Sequence, residues 1–193
     1  DEATSDTGIE AWLSPARHAV SYPMRRNGER NVVVVAAQND SDALSSFSWN
    51  GRLADYISAG RYLGNWPLLT LPTKSRMRAL GRCVFIGDAA HAMFPFAAQG
   101  AAMAIEDAWI LARELSLATD HQAAITSFHR LRLPRVQRVI DRTHFHRKVY
   151  HLPFPADLVR NFVLGTKSPA SLRRDLAWLY DWRAPPMSES SVD

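Results

Sequence analysis

A chain of 193 residues has room for one ordinary domain or two small ones, and 47% hydrophobic with 22% charged residues is the composition of a folded chain. The single cysteine, Cys83, excludes an internal disulfide framework and an all-cysteine zinc site, and it points to reducing, cytoplasmic surroundings. The net charge of +4, from 23 basic and 19 acidic groups, raises the question of nucleic acid. The basic residues densest between Arg130 and Lys148, however, alternate with apolar ones at helical spacing, the pattern of a solvated helix face. No nucleic-acid partner is expected from this. No membrane is expected either, because no apolar run approaches the roughly 20 residues of a span and the acidic, polar start is no export signal.

In chain order, the stretch from Trp12 to Pro23 reads as strand, and Asn31 to Gln38 is a β-branched run between which Asn27-Gly28 supplies hairpin chemistry. Asp42 to Ala59 carries apolar residues at helical intervals, with Gly51 weakening its middle. Trp66 to Leu71 reads as a further short strand, giving an antiparallel sheet of at least three strands beside one helix. The apolar run Val84-Phe85-Ile86 then stops abruptly at Gly87-Asp88, as a buried parallel strand stops at its carboxyl end. A Pro-containing loop follows, then a helix from about Gln99 to Leu117 whose nearly all-round apolar surface predicts burial. His121 to Tyr150 is a longer, wetter helix with Pro134 as a candidate kink, and Leu158–Leu164 and Leu172–Trp182 are two shorter ones. The expected class is mixed α/β. The expected divisions are a β-sheet domain over 1–75, a strand-and-helix segment over 76–119 and a helical region over 120–193.

Strand, Gly-Asp, loop, Pro, Gly, helix is the order of a cofactor site at the end of an α/β sheet. Gly87 lets a ligand approach the backbone, Asp88 is an acceptor for polyol hydroxyls, and Gly100 opens a helix whose free N–H groups favour an anionic group. A plain turn in which Asp88 merely caps the next element fits the same letters, and the residues alone leave both readings open. There is no G-x-G-x-x-G and no Walker loop, so any nucleotide site here is half a site.

The segment Gly81-Arg82-Cys83-Val84-Phe85-Ile86-Gly87-Asp88-Ala89-Ala90-His91, then Pro95, then Gln99-Gly100-Ala101-Ala102 and on to Glu106-Asp107-Ala108, resembles the second FAD-binding motif of the class A flavoprotein monooxygenases. These are FAD-dependent aromatic hydroxylases of the salicylate and 3-hydroxybenzoate type. Pro15-x-Arg17-His18-x-Val20-x-Tyr22-Pro23 is similar to a substrate-domain strand of that family. Family members are about twice as long and open with the Rossmann unit that this sequence lacks, so the resemblance is to a C-terminal half.

The resemblance implies an FAD- and NAD(P)H-dependent monooxygenase that hydroxylates an aromatic acid or phenol with O2 through a flavin hydroperoxide. It implies that Asp88, beside Gly87, meets the ribityl hydroxyls, that Pro95 lies against the ring, and that the amides of Gly100, Ala101 and Ala102 face its N1 edge. His18 becomes a candidate for taking a phenol proton, with Tyr22 and Gln99 as substrate contacts. On a regular strand His18 and Tyr22 share one face roughly 13 Å apart; without the family, simple packing is the favoured explanation of both. His91 is expected to hold the Gly-Asp loop, Glu106 and Asp107 to serve the helix structurally, and His144, His146 and His151 not to form a metal site. The partner implied is the absent N-terminal half or a second copy. The competing reading is a truncated, non-catalytic fragment or a module that binds small aromatics without flavin.

Overall fold

Residues 8–24, 28–36, 51–72, 77–81 and 83–188 are described by a computed structural model of the chain. They divide into two compact units, one holding residues up to Trp66 together with Lys148–Thr166, the other Pro67–Arg147 and the residues from Lys167 onward.

In the first unit three strands form an antiparallel sheet in the order β1 (Glu10–Ser14), β2 (Arg17–Pro23), β3 (Arg30–Ala36). The stretch expected as strand between Trp12 and Pro23 is thus two strands, broken at Pro15-Ala16, where Ala16 takes φ 61°. Side-chain alternation then divides the sheet into two faces. Glu10, Trp12, Ala19, Ser21 and Arg30 share one of them, register pairs Glu10 with Ser21 and Trp12 with Ala19, and helix α1 (Arg52–Ala59) supplies its cover. Tyr56 of α1 sets its ring edge-on to Trp12 at 6.2 Å and donates its hydroxyl to Glu10 at 3.0 Å, while Leu53 is fully buried. Arg30 lies over the Tyr56 ring and within 3.3 Å of Glu10, so its charge is paired under the helix. The other face carries His18, Val20 and Tyr22, with His18 opposite Val35 and Tyr22 opposite Asn31.

Gly51 is the residue before α1 rather than the middle of a helix, and its φ of 63° with ψ −146° explains why the helix starts there. The earlier part of the helix expected from Asp42, and Asn27 of the expected turn, lie outside the described residues. Trp66 to Leu71 is not a strand. Pro67 withholds a backbone donor, and the segment is largely exposed, with Leu71 N–H donating to Ala92 O at 3.1 Å. The three-stranded sheet therefore draws two strands from the strand-like stretches of the Trp12–Pro23 region and none from Trp66–Leu71.

The second unit begins with a short hairpin, β4 (Ala79–Leu80) against β5 (Cys83–Val84), antiparallel. The expected buried parallel strand is only these two residues of β5. Among the described residues no parallel neighbour flanks it, and Phe85 stays exposed. Then follow the one-turn helix α2 (Asp88–His91), a 3₁₀ turn at Pro95–Ala97, α3 (Gly100–Leu117) and the 30-residue α4 (His121–Tyr150), which continues through Pro134. Helices α5 (Ala156–Thr166) and α6 (Pro169–Tyr180) complete the order, with α5 in the first unit and α6 in the second. Met103, Ile110, Phe128, Val136, Val139, Ile140 and Leu179 form the core of the second unit. The burial expected all round α3 is one-sided: Ile105 is 71% and Trp109 40% exposed.

The basic face expected along α4 is also only partly solvated. The buried positions Phe128, Arg132, Val136, Val139, Thr143 and His146 step by three or four residues, so Arg132 falls on the inward stripe and is 2% exposed.

Candidate functional site

Gly87 ends the apolar run at φ 58° and ψ −141°, a conformation that side chains other than glycine's rarely adopt. A Cβ placed there would stand 2.9 Å from the Cβ of Ala104, so the loop is pressed against α3 and only a glycine closes it. The Gly87 carbonyl accepts from the N–H groups of Ala90 and His91, both at 2.9 Å, and this turns the chain into α2.

Behind the loop lies a buried charge network. Asp107, fully buried in α3, accepts from Gly87 N–H at 2.9 Å, from His91 Nε2 at 2.6 Å and from Arg132 Nε at 2.7 Å. Burial by itself would raise the Asp107 carboxyl, but the hydrogen bonds from His91, Gly87 and Arg132 outweigh it and hold the group below the usual carboxylate range. Arg132 also donates to Glu106 at 2.7 Å, and Arg135 reaches Glu106 at 2.8 Å and the carbonyls of Trp178 and Leu179 at the end of α6. His91 thus acts on the loop through Asp107, and Glu106 and Asp107 anchor α3 to α4. Residue pattern alone left out Arg132 and Arg135; the register of the buried stripe on α4 was the signal that pointed inward.

In front of the loop the arrangement is open. Asp88 is exposed, and its carboxylate has no hydrogen bond or ion pair among the described residues. A Cβ on Gly100 would stand 3.8 Å from Asp88 Oδ1, so the glycine keeps the gap between that carboxylate and the start of α3 clear. The α3 N-terminus has no side-chain cap and no acidic residue in its first turn, which leaves the amides of Gly100, Ala101 and Ala102 as donors. Gln99 precedes them, is buried, and lines a cavity of about 300 Å³ with Ala102, Ile105, Leu179, Tyr180 and Trp182. Pro95 is exposed and starts the 3₁₀ turn, whose last carbonyl, Ala97 O, accepts from the Tyr180 hydroxyl at 3.1 Å. An acceptor for hydroxyls thus stands beside amide donors that have no partner among the described residues, across a gap kept free of a side chain, an arrangement that could hold a ligand carrying both hydroxyls and negative charge.

His18 and Tyr22 lie in the first unit. They share a face of β2, but His18 is buried and Tyr22 exposed, its hydroxyl accepting from Asn31 at 2.5 Å. His18 Nδ1 lies 2.9 Å from Nε2 of His151, and its ring meets Tyr150 edge-on at 5.5 Å. Burial, with the neighbouring His151 charge adding to it, lowers the His18 pKa to about 4. His151 is a partner that spacing gave no reason to choose, since it lies 133 residues away. His144 packs edge-on against Phe94 at 5.8 Å, and His146 Nδ1 lies 3.1 Å from Phe96 O, so each of the three histidines has its own neighbour.

The FAD binding domain family matches residues 72–143, which contain Gly87, Asp88, Pro95, Gly100 and the Asp107–Arg132 network. Along 91% of its length the chain is 35% identical to a 3-amino-4-hydroxybenzoate 2-monooxygenase of Streptomyces platensis, covering 47% of that protein. It is 29% identical to a 3-hydroxybenzoate 6-hydroxylase of Klebsiella oxytoca, covering 46% of it. A solved salicylate hydroxylase substrate complex shares the fold over 91% of the chain, with TM-score 0.57 and 17% identity. The chain is similar to proteins named as aromatic hydroxylases and monooxygenases. It spans about half the length of the relatives it matches.

Proposed function

We propose that this chain is the C-terminal portion of a cytoplasmic, NAD(P)H-dependent flavoprotein monooxygenase that hydroxylates an aromatic acid or phenol. The observation that carries the reading is the unengaged Asp88 carboxylate facing the uncapped start of α3 across the Gly100 gap, inside the segment that matches an FAD binding domain. When bound, FAD supplies the redox chemistry, taking electrons from NAD(P)H and activating O2.

The chain's residues supply the rest. Asp88 accepts hydrogen bonds from the ribityl hydroxyls, with Gly87 holding the loop close. The amides of Gly100, Ala101 and Ala102 donate to the ring edge where negative charge collects, and one such preorganised donor is typically worth about 3–4 kcal/mol to a charged state. Pro95 lines the ring, while Tyr22 and Gln99 orient the substrate's polar groups. His18 is neutral near pH 7, the state from which an imidazole accepts a proton. With its pKa lowered to about 4 it shares a phenol's proton rather than taking it outright. No helix among the described residues is long and apolar enough to cross a membrane.

The test is to titrate FAD into the full-length enzyme, N-terminal half included, and its Asp88→Ala variant, and to measure product formed per NAD(P)H oxidised by His18→Ala. Asp88→Ala should weaken FAD binding about ten- to a hundredfold, the weight of hydrogen bonds to a charged acceptor. His18→Ala should keep its flavin and hydroxylate more slowly, near the lower end of general-base effects at about 10²-fold. Normal FAD affinity in Asp88→Ala overturns the Gly-Asp assignment. A colourless full-length wild-type protein with measurable affinity for small aromatics favours the flavin-free binding module.

A further inference from the structure

The turn that delivers the chain into α3 is held from outside itself. Its three successive carbonyls all have partners: Pro95 O accepts from Ala98 N–H at 3.0 Å, Phe96 O faces His146 Nδ1 at 3.1 Å, and Ala97 O accepts from Tyr180 at 3.1 Å. The next residue, Ala98, sits at φ 50° and ψ 37°, left-handed although it is not glycine. A left-handed alanine persists only where its surroundings fix the backbone on both sides. On one side those surroundings are the two side chains, from the far end of α4 and the last residue of α6. On the other is the first helical bond of α3, from Met103 N–H to Gln99 O at 2.9 Å.

We propose that His146 and Tyr180 are positioning residues that clamp the Phe96 and Ala97 carbonyls, and so set the left-handed turn from which the first amides of α3 are aimed. The aim of those amides at a flavin edge rests on the function proposed above; the clamp on the turn does not. The protonation states suit the task over a wide pH range. Burial, with the nearby Arg142 charge adding to it, lowers His146, and the hydrogen bond to Phe96 only partly offsets this; the neutral ring then carries its proton on Nδ1, as a carbonyl partner requires. Burial raises the Tyr180 hydroxyl against the pull of Arg142, so it stays a donor. The clamp is therefore made of two neutral donors, and it adds no fixed charge beside the α3 N-terminus.

The experiment follows residue-resolved hydrogen exchange at the Ala98 and Met103 amides, with Val136 and Val139 as core reporters, in Tyr180→Phe, His146→Leu and His146→Asn. FAD is titrated into each protein. Tyr180→Phe and His146→Leu should speed exchange at Ala98 and Met103 at least about tenfold more than at the core, and weaken FAD binding about three- to tenfold, the weight of one neutral hydrogen bond. Asn, whose amide nitrogen sits near the place of Nδ1, should restore much of both. If exchange at Ala98 and Met103 is unchanged in Tyr180→Phe, or rises only in step with the core, the clamp is refuted. If exchange responds as expected but the full-length wild-type protein, N-terminal half included, binds no FAD, the clamp stands and the flavin reading falls.

Discussion

Replacing Gly87 by alanine should damage the loop in two separable ways. The first is conformational: φ 58° with ψ −141° is nearly closed to a residue with a Cβ, and holding one there costs about 1–3 kcal/mol. The second is steric. The new methyl would meet Ala104 Cβ at 2.9 Å, where carbon atoms ordinarily rest at about 3.5–4.0 Å. Ala104 is fixed to the backbone of α3 and cannot swing aside, so loop or helix must move by most of an ångström. Overpacking of that kind costs about 1–3 kcal/mol. Gly87→Ala should therefore lose about 2–6 kcal/mol in chemical denaturation. Because Gly87 N–H is bonded to Asp107 and its carbonyl to Ala90 and His91, the displacement should also disturb Asp88 and weaken FAD binding. The second substitution Ala104→Gly separates the terms. Alone it should cost about 1 kcal/mol, as glycine does inside a helix. Combined with Gly87→Ala it should recover the steric part, making the double mutant about 1–3 kcal/mol more stable than additivity allows. Strict additivity, or a Gly87→Ala protein as stable as wild type, would refute the account of the loop as a close contact that only glycine permits.

Two further outcomes follow from the buried polar groups. Arg132→Leu leaves Asp107 with one fewer donor and Glu106 without one of its two arginines, and should lose about 3–5 kcal/mol in urea unfolding, the usual loss when one member of a buried pair is removed; a loss below 1 kcal/mol would show the network to be incidental. For His18, the unfolded imidazole at its ordinary 6.5 binds a proton before the folded one at about 4, so its contribution is complete above about pH 6.5 and is lost as pH falls towards 4, on the order of 3 kcal/mol in all; His18→Asn should flatten the stability profile across that window, and an unchanged slope would mean that the imidazole is not kept neutral by its burial.

The parts of this chain that could be read from sequence are those fixed by local chemistry. The β-branched run of β3, the long helical periodicities of α3 and α4, and the Gly87 and Pro95 punctuation each state their own conformation, and the structure places them within a few residues of expectation. What could not be read is what each face meets. Trp66 to Leu71 has the composition of a strand, but a strand exists only where a neighbour offers a ladder, and Pro67 removes one rung. Val84 to Ile86 has the composition of a buried parallel strand and is half exposed for the same reason. His18 was legible as a special residue, yet its partner His151 comes from the far side of the chain, and no spacing rule connects them. Arg132 was hidden for the opposite reason: an arginine among arginines reads as surface until the apolar stripe of α4 is followed through it.

The charges around the Gly-Asp segment bear on the flavin role proposed for it. Glu106, Asp107 and Glu114 are all buried in α3, and in a helix this apolar their charge would oppose the approach of an anion. Each lies beyond the first turn, however. Glu106 and Asp107 are paired to Arg132 and Arg135, and Glu114 is paired to Arg113. The carboxylates are thus neutralised locally, and the partial positive charge at the start of α3 is left standing. A turn in which Asp88 merely caps the element that follows would show its carboxylate on the first amides of α2, a contact worth about 1 kcal/mol, and α2 has no side-chain cap. Asp88 stands next to the start of α3 and does not cap it. An acceptor and a set of donors held side by side without engaging one another are what the proposed flavin requires, since it offers hydroxyls to the one and negative charge to the other.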